Sequence, residues 1–324
     1  MQRYQCLVQA ICAGRGAQES EAMMSEHELP RRGFLKMTAA FAAVVMHPHA
    51  ARALGGAPMT RPGVPRTDGV RLGIASYSLR QFPRDKAIEM IKQLRTPYVN
   101  LKSVHLPYEL SPQQIADARR EVEAAGLQIV GGGTITFGKD TDEDVQHYFD
   151  YAKAAGMPLI VGTCAPNVLP RIERFAKRYD IKVAIHNHGP EDKHFPTPYD
   201  VLNRVRDLDA RVGLCMDIGH ATRAGADIVK AAADAGPRLL DIHAKDLRNA
   251  NAKESQCVVG EGVLPIPELF RQLEAMRYPG YVNLEYEIDA DDPLPGMKQS
   301  LAYMRGVLAG EHTTSHSRRT NSHA

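Results

Sequence analysis

The feature that most constrains the fold of this chain is a repeated pair of segments, in which a short apolar run and a turn are followed by an amphipathic helical segment. Strict alternation of strand and helix predicts a parallel sheet covered by helices. Eight alternations over roughly 240 residues match the usual size of a (β/α)₈ barrel. We therefore predict an α/β fold, a single (β/α)₈ TIM barrel over residues 68–310, with these strands: "VRLGIAS", "YVNLKSV", "LQIVGGG", "PLIVGT", "KVAIHNH", "VGLCMDI", "LLDIHAK" and "YVNLEYE".

The segments between these strands carry the usual signals for helix ends. In "SPQQIADARREVEAAG", Ser111 is placed to cap the helix, Pro112 to begin it and Gly126 to end it. "TDEDVQHYFDYAKAAG" repeats the pattern, with Thr141 as the cap and Gly156 at the end. Both segments are therefore predicted to be helices.

An open, doubly wound sheet is the competing architecture. It would normally carry a G-x-G-x-x-G turn after its first strand, and "GIASYSLRQF" has none. The run "GGGT" from Gly131 to Thr134 lacks the remaining glycine spacing, and we interpret it as a tight turn. The closed barrel is therefore the favoured prediction.

Polar side chains gather at the predicted carboxyl ends of the strands, where barrel enzymes hold their active sites. The fifth strand ends in "VAIHNHGP", and because strand side chains alternate between faces, its two histidines leave on the same side. Single histidines at such positions are usually structural, but jointly these residues indicate a functional site. The full set is Lys102, His105, His186, His188, Asp217, His220, His243, Lys245, Glu285 and Glu287.

The first 53 residues are typical of an export signal. "RRGFLK" begins with Arg31 and Arg32, and a short apolar stretch and small residues follow, which resembles a twin-arginine signal. Met24 is an alternative start. We expect recognition by the twin-arginine export machinery, a periplasmic or otherwise exported chain with no stable membrane span, and a linker over residues 54–67. A disordered tail is predicted for residues 311–324.

Composition excludes some classes of function. The chain has 40 basic and 38 acidic residues, a net charge of +2, and no polybasic stripe, which argues against a nucleic-acid partner. Cys6 and Cys12 lie in the predicted signal. The other three, Cys164, Cys215 and Cys257, have neither disulfide-framework nor metal-site spacing.

Four motifs resemble the xylose-isomerase-like barrel superfamily of sugar isomerases and epimerases: "MDIGH", "DIHAKD", "GEGVLPIPELFRQL" and "YVNLEYE". The likeness spans residues 70–308, and the nearest relatives resemble exported twin-arginine members. The resemblance implies one divalent metal, commonly Mn²⁺, held by a carboxylate on the fifth strand, an Asp on the sixth, a His on the seventh and a Glu on the eighth. The matching residues here are Asp217, His243 and Glu285.

The fifth strand departs from this pattern. Relatives usually have E-N-H there, whereas this chain has His186, Asn187 and His188. We predict that His186 replaces the carboxylate as the fourth ligand, since imidazole binds Mn, Fe, Co and Zn well. Relatives use the glutamates of strands five and eight on opposite faces of the sugar, and of that pair Glu285 alone remains.

The predicted activity is that of a sugar isomerase or epimerase acting on a keto or hydroxy carbohydrate through a metal-stabilised enediolate. Loss of the second glutamate favours one-face proton abstraction, by isomerisation or by elimination from a keto-sugar. The predicted catalytic residues are Glu285, His188, His220 and Lys245, with His105 a further candidate base. Lys102, His105 and Glu287 are the predicted substrate-binding residues. His220 could instead orient Asp217, and Glu287 could simply pair with a basic neighbour.

Two other functions compete with this one. A non-catalytic, periplasmic sugar-binding barrel would keep the metal as an anchor and would bind without turnover. A metal-dependent nuclease would need several metals and a basic groove, and the low net charge argues against it.

Overall fold

The computed structural model describes residues 69–320, with side chains to residue 310. The predicted export signal and linker lie outside the described residues, as do residues 321–324. No helix in the part described is long and apolar enough to cross a membrane.

The eight predicted strands form a closed parallel barrel, as the alternating pattern requires. In chain order they are β1 (Arg71–Ala75), β2 (Tyr98–Leu101), β3 (Gln128–Phe137), β4 (Leu159–Cys164), β5 (Lys182–His186), β6 (Val212–Asp217), β7 (Leu239–Ala244) and β10 (Tyr281–Leu284). Each pairs with its neighbours, and β10 closes the barrel on β1. The single (β/α)₈ barrel is therefore confirmed.

Helices cover the outside of the barrel. They are α1 (Arg84–Gln93), α2 (Pro112–Ala124), α3 (Asp142–Ala154), α4 (Leu169–Tyr179), α5 (Pro198–Val205), α6 (Ile218–Arg223), α7 (Ile228–Ala235), α8 (Ile266–Ala275) and α9 (Leu294–Thr320). The predicted caps are present, since Ser111 accepts from the backbone N–H of Gln114 and Thr141 from that of Asp144. Two helices follow β6, and a hairpin of β8 (Asp246–Leu247) and β9 (Gln256–Cys257) follows β7.

The prediction of a tight turn at "GGGT" is wrong, because β3 runs straight through Gly131 to Thr134. Gly133 has a φ of +121°, and a Cβ there would lie 2.0 Å from the carbonyl oxygen of Val161 on β4. Glycine is needed here because two backbones approach closely inside a sheet, and not because the chain reverses.

The apolar core has two parts. The larger one packs the helices against the outer faces of the strands. The smaller one consists of strand residues, Leu159, Val161, Ala184 and Cys215, with Leu240 against it. Ala184 precedes His186 by two residues on β5, so this small cluster lies on the inward face of the barrel, below the strand ends. Cys164, Cys215 and Cys257 are free and buried, consistent with a packing role.

The last helix, α9, continues to Thr320 and so enters the segment predicted to be a disordered tail. Side chains after residue 310 lie outside the described residues, and the boundary of the tail stays a prediction.

Candidate metal centre

The polar residues of the site lie at the ends of five strands, at positions where the side chain points into the barrel. The inward positions at the carboxyl ends of β5, β6 and β7 are His186, Asp217 and His243, and Glu285 directly follows β10. Lys102 directly follows β2. Because every second side chain of a strand points the same way, these five side chains meet inside the upper end of the barrel.

The four predicted metal ligands lie together. One ligand atom from each of His186, Asp217, His243 and Glu285 can be chosen so that all lie within 4.8 Å of one another, and all four residues are buried. Nε2 of His186 is 3.6 Å from Oδ2 of Asp217, and Nδ1 of His243 is 3.1 Å from Oε2 of Glu285. The structure therefore brings together two imidazoles and two carboxylates at the positions that the sequence predicts.

Orphaned polar atoms in this cluster fit a bound cation. Nε2 of His186, Oδ2 of Asp217 and both ring nitrogens of His243 are buried without a hydrogen bond of acceptable geometry. Oδ2 of Asp217 and Nδ1 of His243 have charged neighbours at 2.9 and 3.1 Å, whereas the Nε2 atoms of His186 and His243 have none closer than 3.6 Å and are free to bind an ion. Imidazole nitrogens and carboxylate oxygens suit Mn, Fe, Co and Zn, and the residues present therefore fit a divalent transition metal.

Two lysines share the same carboxylates. Nζ of Lys102 lies 2.9 Å from Oε1 of Glu285. Nζ of Lys245 lies 2.9 Å from Oδ2 of Asp217, 3.2 Å from Oε2 of Glu285 and 2.6 Å from Oε2 of Glu287. The contact between Lys245 and Asp217 is an ion pair without the alignment of a hydrogen bond. Both predicted lysines are therefore part of the site.

The lysines set the ionisation of the carboxylates. Burial alone would raise the pKa of Asp217, but Lys245 and the neighbouring histidines outweigh it and hold that pKa well below its usual value. Burial acts in the same way on Glu285, where His243 and the two lysines keep the pKa well below its usual value. Both carboxylates are therefore charged at neutral pH, as metal ligands must be.

His220 is oriented by its own helix. The carboxylate of Asp217 caps α6 by accepting from the backbone N–H of His220 at 2.8 Å. Nη1 of Arg223 lies 3.3 Å from Nδ1 of His220. A guanidinium can only donate, so Nδ1 accepts, and the neutral ring carries its proton on Nε2, which lies 4.0 Å from Oδ2 of Asp217. Burial lowers the pKa of His220 to about 4, so the ring is neutral at pH 7.

His188 stands at the mouth of the site. Its ring centroid is 5.6 Å from that of His186 and 4.7 Å from that of His220, and its side chain is exposed. Partial burial of the ring, together with His186, lowers the pKa of His188. It is therefore a neutral imidazole within reach of an incoming molecule.

His105 is engaged elsewhere. Its Nδ1 lies 2.9 Å from Oγ of Ser76 and its Nε2 lies 3.2 Å from the carbonyl oxygen of Leu79. Ser76 Oγ also accepts from the backbone N–H of Lys102 at 2.9 Å. Both ring nitrogens thus bind the turn after β1, and this arrangement does not support the predicted contact of His105 with substrate.

Glu287 pairs with a basic neighbour, as the sequence allowed. Its partner is Lys245, and its side chain is 37% exposed, which places it toward solvent. Gln256 on β9 holds this strand end: its Nε2 donates to the carbonyl oxygen of Glu285 at 2.7 Å, and its Oε1 accepts from the backbone N–H of Glu287 at 3.0 Å. Gln256 was not among the predicted site residues, since nothing local in the hairpin indicates its partner.

Asn187 is a second positioning residue that the sequence analysis did not single out. Its side chain donates to the carbonyl oxygen of Asp217 and accepts from the backbone N–H of Asp217, both at 3.1 Å. It lies on the opposite face of the strand from His186 and His188, so it does not share the inward position of the predicted ligands. Its position between two histidines of one motif was the available signal.

A second polar layer lies one strand repeat deeper. Asn100, Asp241 and Asn283 precede Lys102, His243 and Glu285 by two residues, and all three are buried. The amides of Asn100 and Asn283 donate to the carboxyl group of Asp241 at 3.2 and 2.8 Å. Burial raises the pKa of Asp241 to about 8. The period of two would have revealed this layer.

Residues 86–307 match the family described as "Xylose isomerase-like TIM barrel", which covers more than half of the chain. Among curated proteins, an inosose dehydratase of Mesomycoplasma hyopneumoniae is 24% identical over 159 residues, which are 44% of this chain and 53% of the relative. The match thus spans about half the length of that relative.

Solved structures resemble the barrel as a whole. The 3-keto-D-glucoside 4-epimerase of E. coli is 20% identical with a TM-score of 0.57, and the match covers 73% of this chain and 99% of that one. The IOLI protein, solved with a bound zinc atom, is 14% identical with a TM-score of 0.61 over 72% of this chain and 98% of that one. At these identities the likeness establishes a shared fold.

Proposed function

This chain belongs to the xylose isomerase-like TIM barrel family, and from that membership we propose that it is a divalent-metal-dependent enzyme that isomerises or epimerises a keto or hydroxy carbohydrate. The observation that carries the proposal is the buried cluster of His186, Asp217, His243 and Glu285, with its orphaned donor atoms. A family fold alone would not carry it, because one barrel supports many chemistries.

These four residues would hold the ion, which would act as a Lewis acid on a substrate carbonyl and the adjacent hydroxyl. Mn²⁺ is our first choice, and Fe, Co and Zn suit the same donors. The chain itself supplies orientation and proton transfer. Lys102 and Lys245 hold the carboxylates in place and offer N–H donors toward negative charge that develops on the substrate.

We assign the general base to His188. Glu285 is a weak base because its contacts with Lys102 and Lys245 stabilise its charged form. His220 presents a protonated nitrogen to the site, and both ring nitrogens of His105 are occupied. A neutral, accessible imidazole at the mouth is suited to accept the α-proton of a keto-sugar. His220 is then placed to donate a hydrogen bond on the same side.

Elimination is the second candidate, and a specific observation favours it. Lys245 is buried but contacts the partly exposed Glu287, and its ammonium group would donate a proton to the hydroxyl that departs as water after the α-proton is removed. The inosose dehydratase relative catalyses a reaction of this class by its name. The proposed proton abstraction is common to both candidates, so one experiment addresses them together.

The experiment is deuterium exchange on a panel of keto-sugars incubated in D₂O with the metal-loaded protein. We expect deuterium at the carbon next to the carbonyl for at least one sugar, and product masses then separate isomerisation from loss of water. His188→Ala should keep its metal and lose exchange by about 10²-fold or more. His147→Ala, on the exposed face of α3, is the matched control and should exchange normally.

Metal content decides between the enzyme and its non-catalytic rival. Mass spectrometry should find about one metal per chain in the wild type and less in His186→Ala and Asp217→Ala. Tight sugar binding with a full metal complement and no exchange for any sugar would favour the non-catalytic sugar-binding barrel. Wild-type protein that takes up no metal would contradict the proposal of a metal-dependent enzyme.

Export is a separate proposal that rests on the "RRGFLK" run. We expect an Arg31→Lys, Arg32→Lys double variant to stay in the cytoplasm while the wild type reaches the periplasm. Fractionation and sequencing of the mature amino terminus measure this directly, and equal distribution of the two chains would contradict it.

A further inference from the structure

The charges around the proposed metal centre carry information about the substrate, and this inference rests on the proposed function. Two buried carboxylates, Asp217 and Glu285, are already matched by two buried ammonium groups, Lys102 and Lys245. The histidines add no charge, because neutral imidazole is the form that binds metal. The cluster is thus balanced before any ion enters.

A divalent ion would upset this balance. It would add two positive charges to a buried set whose charges already cancel. Glu287, which is 37% exposed, offsets one of the two in part. Burying uncompensated charge is costly, so the loaded site needs a further anion. The missing charge amounts to about one unit.

The geometry indicates where the anion would lie. An ion held by Asp217 and Glu285 would compete with Lys245 for these two carboxylates. The ammonium group would keep its third contact, with Glu287 at 2.6 Å, on the solvent side of the cluster. The ammonium group of Lys245 would then pair mainly with Glu287, on the side from which a substrate enters.

The site is built to hold this lysine. A Cβ on Gly219, in the first turn of α6, would lie 2.7 Å from Cγ and Cδ of Lys245. The glycine therefore leaves the path through which the lysine stem reaches the carboxylates. The side chain of Lys245 is 4% exposed, so its aliphatic stem is held by packing while its ammonium group lies among the carboxylates.

We propose that the substrate is an anionic carbohydrate bearing a carboxylate, which pairs with Lys245 while its carbonyl end faces the metal ligands. A phosphate ester fits less well. Its two negative charges would exceed the one that is missing and would lie near the carboxylate of Glu287. The N-terminus of α6, a common phosphate-binding feature, is already capped by Asp217. A carboxylate supplies the single charge that is missing.

The test is calorimetry on metal-loaded protein with D-gluconate and D-glucitol, which differ in one carboxylate. We expect D-gluconate to bind at least about tenfold more tightly. Lys245→Met should abolish the difference, and Glu287→Gln should enlarge it by exposing more of the lysine charge. Glu89→Gln, on the exposed surface of α1, is the matched control and should leave the ratio unchanged.

Metal content is measured before and after each titration, which separates the two proposals. Protein that takes up no metal overturns the proposed function and this inference with it. Metal-loaded protein that binds the two probes equally, or binds neither, overturns the carboxylate proposal alone. Should Lys245→Met fail to fold, Glu287→Gln still decides, because an unchanged ratio in that variant contradicts the role of Lys245.

Discussion

Two polar layers lie one above the other in this barrel, and burial has opposite consequences in them. In the upper layer Asp217 and Glu285 are buried beside Lys102 and Lys245, and their pKa values lie well below the usual range. In the lower layer Asp241 is buried beside neutral amides, and its pKa rises to about 8. At neutral pH the upper carboxylates are charged, whereas the lower one is largely protonated.

The difference teaches that depth alone does not decide what a buried carboxyl group does. Desolvation disfavours the charged carboxylate in both layers, and the neighbouring groups determine whether its pKa is finally raised or lowered. Cations in the upper layer outweigh it and leave ligands ready for a metal, whereas amides in the lower layer do not. The upper layer can therefore do chemistry, and the lower layer supports it from below.

The largest effect is expected from Asp217→Ala in metal-free protein. Removing this carboxylate leaves Lys245 buried with fewer partners, and breaking a buried pair costs about 3–5 kcal/mol of the free energy of unfolding. Urea unfolding in chelator measures the loss. Asp217 also caps α6, so Asp227→Ala, which removes the cap of α7 from an exposed site, is the control and should cost about 1 kcal/mol. Equal losses of stability in the two variants would show that Asp217 stabilises the protein only as a helix cap.

Asp241→Asn should stabilise the protein, and the gain in free energy of unfolding should depend on pH. The folded-state pKa of Asp241, about 8, exceeds its unfolded value of 3.8, so the penalty for burying it is absent below pH 3.8 and grows as pH rises toward 8. The variant removes the penalty and should be more stable than wild type by on the order of 3 kcal/mol at pH 6, with little difference at pH 4.

In the same variant, stability should fall more steeply with acid because of the histidine in the upper layer. Burial lowers the pKa of His243 to about 4, below its unfolded value of 6.5, so its contribution is present above pH 6.5 and is lost as pH falls toward 4. In wild type, relief at Asp241 opposes this loss. Denaturation midpoints in chelator should therefore fall more steeply with acid in Asp241→Asn, and parallel profiles for the two chains would contradict the comparison.

Asn187→Ala tests positioning in the upper layer. Loss of its two hydrogen bonds to the backbone of Asp217 should weaken metal binding by about 10–100-fold. Asn100→Ala, a buried amide of the lower layer, is the matched control and should change metal affinity little. Competition with a fluorescent chelator measures both, and similar losses would mean that the layers are not separable.

The smallest effect is expected from Gln256→Ala. Its two hydrogen bonds hold the backbone after β10, and their loss should cost about 1 kcal/mol of stability in chelator. Metal affinity should fall less than in Asn187→Ala, because Gln256 contacts no backbone group of Asp217. A larger loss of metal than in Asn187→Ala would reverse this ranking.

Much of the site could be predicted because ligands in a barrel follow rules that are local in the chain. Each of the four lies at or within one residue of the carboxyl end of a strand, and parallel strands bring such ends together: His186, Asp217, His243 and Glu285. Asn187 and Gln256 could not be found in this way, since their partners belong to other strands. His105 lies in the turn after β2, and its ring binds the turn after β1.

The sequence by itself determined the barrel, since eight apolar runs in strict alternation with helices leave few other ways to bury both faces of a parallel sheet. It also determined which residue types stand at the strand ends. Tertiary structure alone decided that Lys245 reaches three carboxylates, that His220 turns its protonated nitrogen inward, and that Asp241 is held neutral below. These outcomes depend on distances between strands far apart in the chain, and a charge or a proton responds to those distances and not to sequence order.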